Sequence, residues 1–142
     1  MRIFAIAALG LIAVAAAWAQ DRTPSAPGAE VYIIAPHSGQ TVKSPVTVRF
    51  GLKGMGIAPA GVKFDNTGHH HLFIDTDLPT DMSKPLPTTD KILHFGKGQT
   101  EVTLDKDKLP PGKHTLQLVF GDLNHVPLNP PLVSKKITIT VE

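Results

Sequence analysis

Three consecutive histidines, His69, His70 and His71, lie in the stretch FDNTGHHHLFID and are the residues most able to do chemistry. On a β-strand, alternation places His69 and His71 on one face and His70 on the other. The first and third have Cα atoms roughly 7 Å apart, so their imidazoles can converge on one ion at bonds of about 2.0 Å. We therefore expect His69 and His71 to be primary metal ligands. We expect His70 to turn towards the edge of the core, where one ring nitrogen must find a partner.

The rest of the chain predicts the strands that must position these side chains. From Glu30 onward, short apolar or alternating runs are separated by Gly- and Pro-rich turns, with no convincing helical periodicity. Seven runs predict strands: EVYIIAP, PVTVRFGL, HHHLFID, KILHF, QTEVTL, KHTLQLVFGD and SKKITITVE. Near-regular spacing of short strands is typical of an all-β fold, here a single immunoglobulin- or fibronectin-III-like β-sandwich of about seven strands over residues 30–142. The absence of cysteine favours the disulfide-free, fibronectin-like version.

This fold brings distant residues to the triplet. In a seven-strand sandwich the third and sixth strands are antiparallel neighbours, and the short fourth strand can pair with the outer edge of the third. The third strand would then begin opposite the end of the sixth, with the fourth strand and the stretch LNHVPLNPP, predicted as a loop, at the same end. The predicted site suits copper or zinc. It consists of His69, His71, His94 and His125, with Asp122 as a ligand or as an acceptor that orients one.

The same residues also permit an interpretation without metal, in which a hydrogen-bonded histidine–aspartate network fixes the loops. His37 and His114 belong to the opposite end and are expected to be structural or exposed. No serine or cysteine is set up as a nucleophile, and no paired acid and base stands out, so an enzyme is not expected. The glycines of HFGKGQT lack the spacing of a phosphate-binding loop and are expected to allow positive φ in a tight turn.

The first residues predict an export signal. Met1 and Arg2 form a short positive region, an apolar stretch follows, and Ala17-Trp18-Ala19 matches a small-x-small cleavage site. We expect a signal peptide at residues 1–19, a flexible Pro- and Ser-rich leader at residues 20–29, and a periplasmic or secreted protein. The apolar stretch is shorter than the roughly 20 residues that span a bilayer, so no membrane span is expected after cleavage.

Charge and cysteine content narrow the partners. The formal net charge is +2, and no block of Arg and Lys with interleaved aromatic residues is present, which argues against nucleic acid. Because the chain has no cysteine, any metal would be bound through His, Asp, Glu or Met.

Five blocks, GHHHLFID, HFGKGQTE, PPGKHTLQLVFGD, NHVPLNPP and SKKITITV, in this order, resemble a family of small exported bacterial proteins of uncharacterised function. The resemblance covers most of residues 30–142 and implies a single immunoglobulin-like domain behind a signal peptide. A looser similarity is to periplasmic copper-carrier sandwiches, which also bind metal through His and Asp. Many of those use the mature N-terminal histidine, whereas the predicted mature N-terminus here is Gln20.

Two functions follow as hypotheses. The first is an exported binding protein that holds copper or zinc at a histidine cluster on one end of the sandwich. The alternative is an interaction module, in which the same loops contact a cell-envelope protein or a glycan and the histidines have a structural role.

Overall fold

A computed structural model describes residues 21–142, so the signal peptide predicted at residues 1–19 lies outside the described part. The described residues form ten strands and contain no helix. In chain order they are β1 (Glu30–Ala35), β2 (Thr41–Val42), β3 (Val46–Lys53), β4 (Gly56–Ile57), β5 (Thr67–Ile74), β6 (Ile92–His94), β7 (Glu101–Leu104), β8 (Gly112–Gly121), β9 (Pro127–Val133) and β10 (Ile137–Val141). The all-β prediction is confirmed.

The strands form two open sheets. The smaller has the order β1-β3-β7 and is antiparallel. The larger has the order β2-β10-β8-β5-β4, with β6 also paired to β5 and β9 to β8. This is a β-sandwich, and the more specific immunoglobulin-like assignment stays a prediction.

All seven predicted strands are present, and β2, β4 and β9 are additional. The strand β9 overlaps the stretch LNHVPLNPP, so the prediction of a loop there was wrong for its second half. Prolines normally indicate a loop because they cannot donate to a neighbouring strand. Here β9 pairs with β8 alone among the named strands, so few of its N–H groups are needed.

The main core lies between the two sheets. Alternating side chains of β3, such as Val48 and Phe50, pack with residues of β5 and β8, such as Leu72, Leu118 and Phe120. Burial of aliphatic and aromatic surface at about 25 cal/mol per Å² is the main stabilising contribution to such a fold.

A second apolar cluster covers the outer face of the larger sheet. Phe73 of β5 and Val119 of β8 pack against Leu86, which lies in the long connection between β5 and β6. That connection therefore acts as a cover rather than as a solvated loop. As a result β5 is buried on both faces, and the histidines at its beginning are buried with it.

The register places the histidine end of β5 as the sequence predicted. His69 pairs with Gly121 at the end of β8, and His71 pairs with His94 at the end of β6. A slip of one residue would turn every β5 side chain to the opposite face. The buried apolar residues on both faces of β5 fix this register.

The segment before β1 differs from the flexible leader predicted at residues 20–29. The Arg22 guanidinium donates to the carbonyl of Pro127 at 2.9 Å. The backbone N–H of Asn129 donates to the carbonyl of Thr23 at 2.9 Å. These bonds hold the segment along β9, close to the end of the sandwich that carries the histidines.

Candidate metal centre

Four histidines meet at one end of the sandwich. One ring nitrogen from each of His69, His71, His94 and His125 lies within 4.8 Å of the others. The Nε2 atom of His69 is 3.1 Å from Nδ1 of His125 and 3.1 Å from Nε2 of His94. A tetrahedral ion with bonds of 2.0–2.1 Å has ligand nitrogens about 3.3 Å apart. The two short distances therefore suit a shared ion, and the widest pair needs only a modest contraction.

Three elements supply these four side chains. The first two histidines project from the same face of β5, because they are two residues apart on a strand. His94 is the last residue of β6 and enters through its pairing with His71. His125 comes from the loop between β8 and β9. The convergence thus depends on strand pairing, because β5, β6 and the loop after β8 are distant from one another along the chain.

The loop that carries His125 has a defined conformation built on Asp122. The Oδ1 atom of Asp122 accepts hydrogen bonds from the backbone N–H groups of Asn124 at 2.9 Å and Val126 at 3.0 Å. The His125 N–H donates to the Asp122 carbonyl at 2.9 Å. His125 itself has a φ of 66°, in the left-handed region that favours glycine. Such strain at a non-glycine residue is characteristic of functional sites.

Asp122 does not join the group of converging ligand atoms. Its second oxygen, Oδ2, accepts a hydrogen bond from the Thr23 hydroxyl at 2.8 Å. All three contacts of the carboxylate are hydrogen bonds from donors that shape the loop. Of the two roles predicted for Asp122, the geometry matches the one that orients a ligand, since it fixes the loop of His125.

Two further loops brace the site. In the loop between β4 and β5, the N–H of Ala60 donates to the carbonyl of Gly96, just after His94, at 2.8 Å. The N–H of Leu86, in the cover over the larger sheet, donates to the carbonyl of His125 at 2.9 Å. The two half-buried histidines are therefore held by backbone contacts from elsewhere in the chain.

Two glycines make room for the imidazoles, and sequence reasoning missed their role. A Cβ at Gly121 would lie 2.8 Å from Cε1 and 3.2 Å from Nδ1 of His71. A Cβ at Gly96 would clash with the ring of His94. Gly98, with a φ of 84°, has the positive φ expected for the turn, whereas Gly96 does not. The only signal was the position of each glycine beside a predicted ligand in sequence or register.

The polar atoms of the cluster are poorly satisfied by protein alone. Within residues 21–142, both ring nitrogens of His71 and Nδ1 of His69 are buried and have no hydrogen-bond partner. The Nε2 atom of His69 faces two other ring nitrogens, but one imidazole nitrogen carries either one proton or one lone pair. It can make one good hydrogen bond, not two. A cation would engage one lone pair from each of the four histidines at once.

Burial and mutual repulsion keep His69, His71 and His94 in the neutral form that binds metal. Burial, followed by repulsion from His94 and His125, lowers the pKa of His69 to about 4. Burial, followed by repulsion from His69 and the other histidines, lowers the pKa of His71 to about 3. The pKa of His94 is also lowered, by burial and then by His125. Near neutral pH the lone pairs are therefore available to an ion.

His70 points away from this group, as alternation predicted, but it does not find the expected partner. Its ring lies between those of Phe50 and Phe120, with centroids 5.1 and 5.2 Å away. Among the described residues, neither ring nitrogen has a hydrogen-bond partner. The expectation of a bonded nitrogen was wrong, because the core side of β5 offers aromatic rings and no polar group.

The remaining two histidines do not belong to the cluster. His37 lies in the exposed turn after β1. His114 is buried, with Nδ1 2.7 Å from the Asp75 carboxylate and Nε2 2.6 Å from the carbonyl of Pro110. A carbonyl can only accept, so Nε2 carries a proton, and the site is a structural network rather than a metal site.

The fold and the site define an all-β sandwich with a cluster of four histidines, two buried and two half-buried, that is able to hold a metal ion. Residues 48–142 match the family described as "Domain of unknown function (DUF4399)", and the chain belongs to this family. The resemblance to a family of uncharacterised function is confirmed.

Comparisons with individual proteins add little. None of the curated proteins matches the chain. Among solved structures, the chain is similar to "X-ray structure of the endo-beta-1,4-mannanase from Thermotoga petrophila", with a TM-score of 0.45 and 20% identity. That match covers 80% of this chain but spans only 20% of the mannanase chain. Within residues 21–142, no helix is long and apolar enough to cross a membrane.

Proposed function

We propose that this protein binds a transition metal ion, copper or zinc, through His69, His71, His94 and His125. The carrying observation is the convergence of four imidazole nitrogens within 4.8 Å, in an arrangement whose hydrogen bonds cannot all be made at once. Imidazole is a ligand that suits both copper and zinc.

We propose binding rather than catalysis. Hydrolysis at a metal needs an open coordination position and usually a base close to the bound water. Asp122, the acidic residue closest to the cluster in the loop of His125, has its two oxygens engaged by Thr23, Asn124 and Val126. Four histidine ligands would also fill the coordination shell of a tetrahedral ion. These features support an ion carrier or store more than an enzyme.

We also propose that the protein works outside the cytoplasm, in the periplasm or as a secreted protein. The support is the apolar stretch and the Ala17-Trp18-Ala19 site in the first residues, which have the pattern of a cleaved signal.

A second candidate is the interaction module, in which the histidines are structural and the same end contacts a cell-envelope protein or a glycan. One observation favours it. The loop between β4 and β5 exposes Phe64 (73%) and Val62 (45%). Exposed apolar side chains of this size are common at contact surfaces.

Calorimetric titration with Cu(II) and Zn(II) tests the proposal. The mature protein should bind about one ion per chain with micromolar or tighter affinity at pH 7.5. A His69→Ala/His71→Ala double variant should lose this binding, and the matched control His37→Ala should keep it. Absence of binding by the unaltered protein, or equal binding by the double variant, would leave the interaction module as the better explanation. In that case a partner should be captured equally well in the presence of a chelator.

A further inference from the structure

If the proposed function is correct, the charges around the histidine cluster determine which ionic charge the site binds most tightly. The four converging side chains are imidazoles, which bind metal without contributing a negative charge, and no carboxylate or thiolate joins them. The ligands would therefore neutralise none of the charge of a bound ion. Compensation has to come from groups farther away.

Burial makes this uncompensated charge costly. His69 and His71 are no more than 1% exposed, and the site lies between β5, β6 and the loop after β8. The cost of moving an ion from water to a medium of low polarity rises with the square of its charge. A divalent ion therefore loses about four times as much hydration energy as a monovalent ion of similar size.

One buried negative charge lies close enough to compensate part of the ion. Asp122 is 6% exposed, and its carboxylate accepts three hydrogen bonds. The donors are the Thr23 hydroxyl and the backbone N–H groups of Asn124 and Val126. The field of the carboxylate acts on the ring of His69, where it opposes the lowering of the pKa.

The surrounding surface adds no net charge. The grooves next to Asp122 are lined by two exposed carboxylates, Asp21 and Asp65, and by two cations, Arg22 and Lys63. These four charges balance one another and leave Asp122 as the buried negative charge. The cluster is thus a neutral ligand set beside a single buried negative charge, which matches an ion of charge +1.

We infer that the cluster selects Cu(I) over divalent Cu(II) and Zn(II). The reasons are the four neutral ligands, the burial of His69 and His71, and the single buried carboxylate nearby. Cu(I) has a filled d shell and no strong geometric demand, so four nitrogens of uneven spacing, with two pairs at 3.1 Å and all within 4.8 Å, can accommodate it. Imidazole is an established ligand type for copper. The inference rests on the proposed function and narrows it to one ion and one oxidation state.

Competition titrations without oxygen test the preference. The mature protein is titrated with Cu(I) held by a chromophoric chelator, and separately with Cu(II) and Zn(II) by calorimetry. We expect Cu(I) to bind at least tenfold more tightly than either divalent ion. The Cu(I)/Cu(II) ratio also sets the reduction potential of bound copper, which should exceed that of the aqueous couple by 59 mV for each tenfold preference.

An Asp122→Asn variant tests the electrostatic explanation. The side-chain oxygen of Asn can still accept from the N–H groups of Asn124 and Val126, and its amide can donate to the Thr23 hydroxyl. The loop is therefore kept while the charge is removed. Because Coulomb energy scales with ion charge, a tenfold loss of Cu(I) affinity should accompany a hundredfold loss of Zn(II) affinity. A His94→Asp variant, which adds a charge within the ligand set, should shift the preference towards Zn(II).

The outcomes separate the inference from the proposed function. Tighter binding of Zn(II) or Cu(II) than of Cu(I) by the unaltered protein overturns the inference and leaves a metal-binding protein. Equal losses for both ions in Asp122→Asn also contradict it. If no ion binds, the proposed function and the inference fall together.

Discussion

Replacement of His71 by leucine should make the metal-free protein more stable while abolishing its response to metal. His71 is 1% exposed, and neither of its ring nitrogens has a hydrogen-bond partner among the described residues. Leucine has a similar volume and no polar atom. If His71 serves metal binding rather than stability, its replacement by leucine should therefore stabilise the metal-free fold.

The expected magnitude follows from the unsatisfied groups. A buried polar group without a partner costs about 1–3 kcal/mol, so His71→Leu should raise the free energy of unfolding of the metal-free protein by about 2 kcal/mol. For a domain of this size, about 1 kcal/mol corresponds to a change of about 4 °C in Tm, which gives an increase of about 8 °C. An ion at 100 times its Kd should stabilise the unaltered protein by about 2.7 kcal/mol and the variant by almost nothing.

The assay is thermal unfolding at pH 7.5, once with a chelator and once with the ion in excess. His70→Leu is the matched control, because His70 is equally buried and equally unpartnered but faces Phe50 and Phe120 instead of the cluster. Both variants should unfold at higher temperature than the unaltered protein in chelator. Only the His70 variant should rise further when the ion is added.

A clear loss of stability by His71→Leu in chelator would refute this reasoning. It would mean that the imidazole contributes hydrogen bonds or packing to the metal-free fold, as the interaction-module hypothesis requires. A metal response that survives in His71→Leu would show that His71 is not needed as a ligand.

Three further predictions concern pH, the second histidine network and a glycine. Burial is the main cause that lowers the pKa of His69 and of His70 to about 4 and that of His71 to about 3. Histidines of the unfolded chain titrate near 6.5. Below pH 6.5 the unfolded state thus binds more protons than the folded state, so the free energy of unfolding decreases as the pH is lowered. Urea unfolding of the metal-free protein should show a loss of about 1 kcal/mol per histidine between pH 6.5 and 5.5, and an unchanged midpoint would contradict it. Burial alone would lower the pKa of His114, but its bonds to Asp75 and Pro110 outweigh this and raise it. This contribution is fully present below pH 6.5 and is lost as pH rises through the folded pKa. NMR titration should therefore show a pKa of His114 that falls in Asp75→Asn, and a constant value would refute the pairing. Finally, Gly121→Ala should displace the His71 ring and weaken ion binding by about tenfold or more at a retained circular dichroism spectrum, since overpacking typically costs about 1–3 kcal/mol. Unchanged affinity would show that the ring needs no such space.

Much of the fold was readable from local patterns. The run PVTVRFGL alternates apolar and polar residues because β3 has one face on the core and one in solvent. Gly- and Pro-rich stretches separate the seven predicted strands, and all seven exist. The proline-containing β9 and the docked segment around Arg22 were missed. Their hydrogen bonds go to partners far away in sequence, and no local pattern records such partners.

The histidine site also combines features that follow from local sequence with features that need the folded structure. The sequence by itself determined that His69 and His71 share a face and that His70 faces the other way, because side-chain alternation is a property of the single strand. Only the tertiary structure decided that His94 and His125 reach the same point, since this needs the pairing of β5 with β6 and β8 and a left-handed residue in the loop between β8 and β9. It also decided that Asp122 shapes that loop and that His70 has no partner. Burial and distance between remote segments arise only when the sheets pack together.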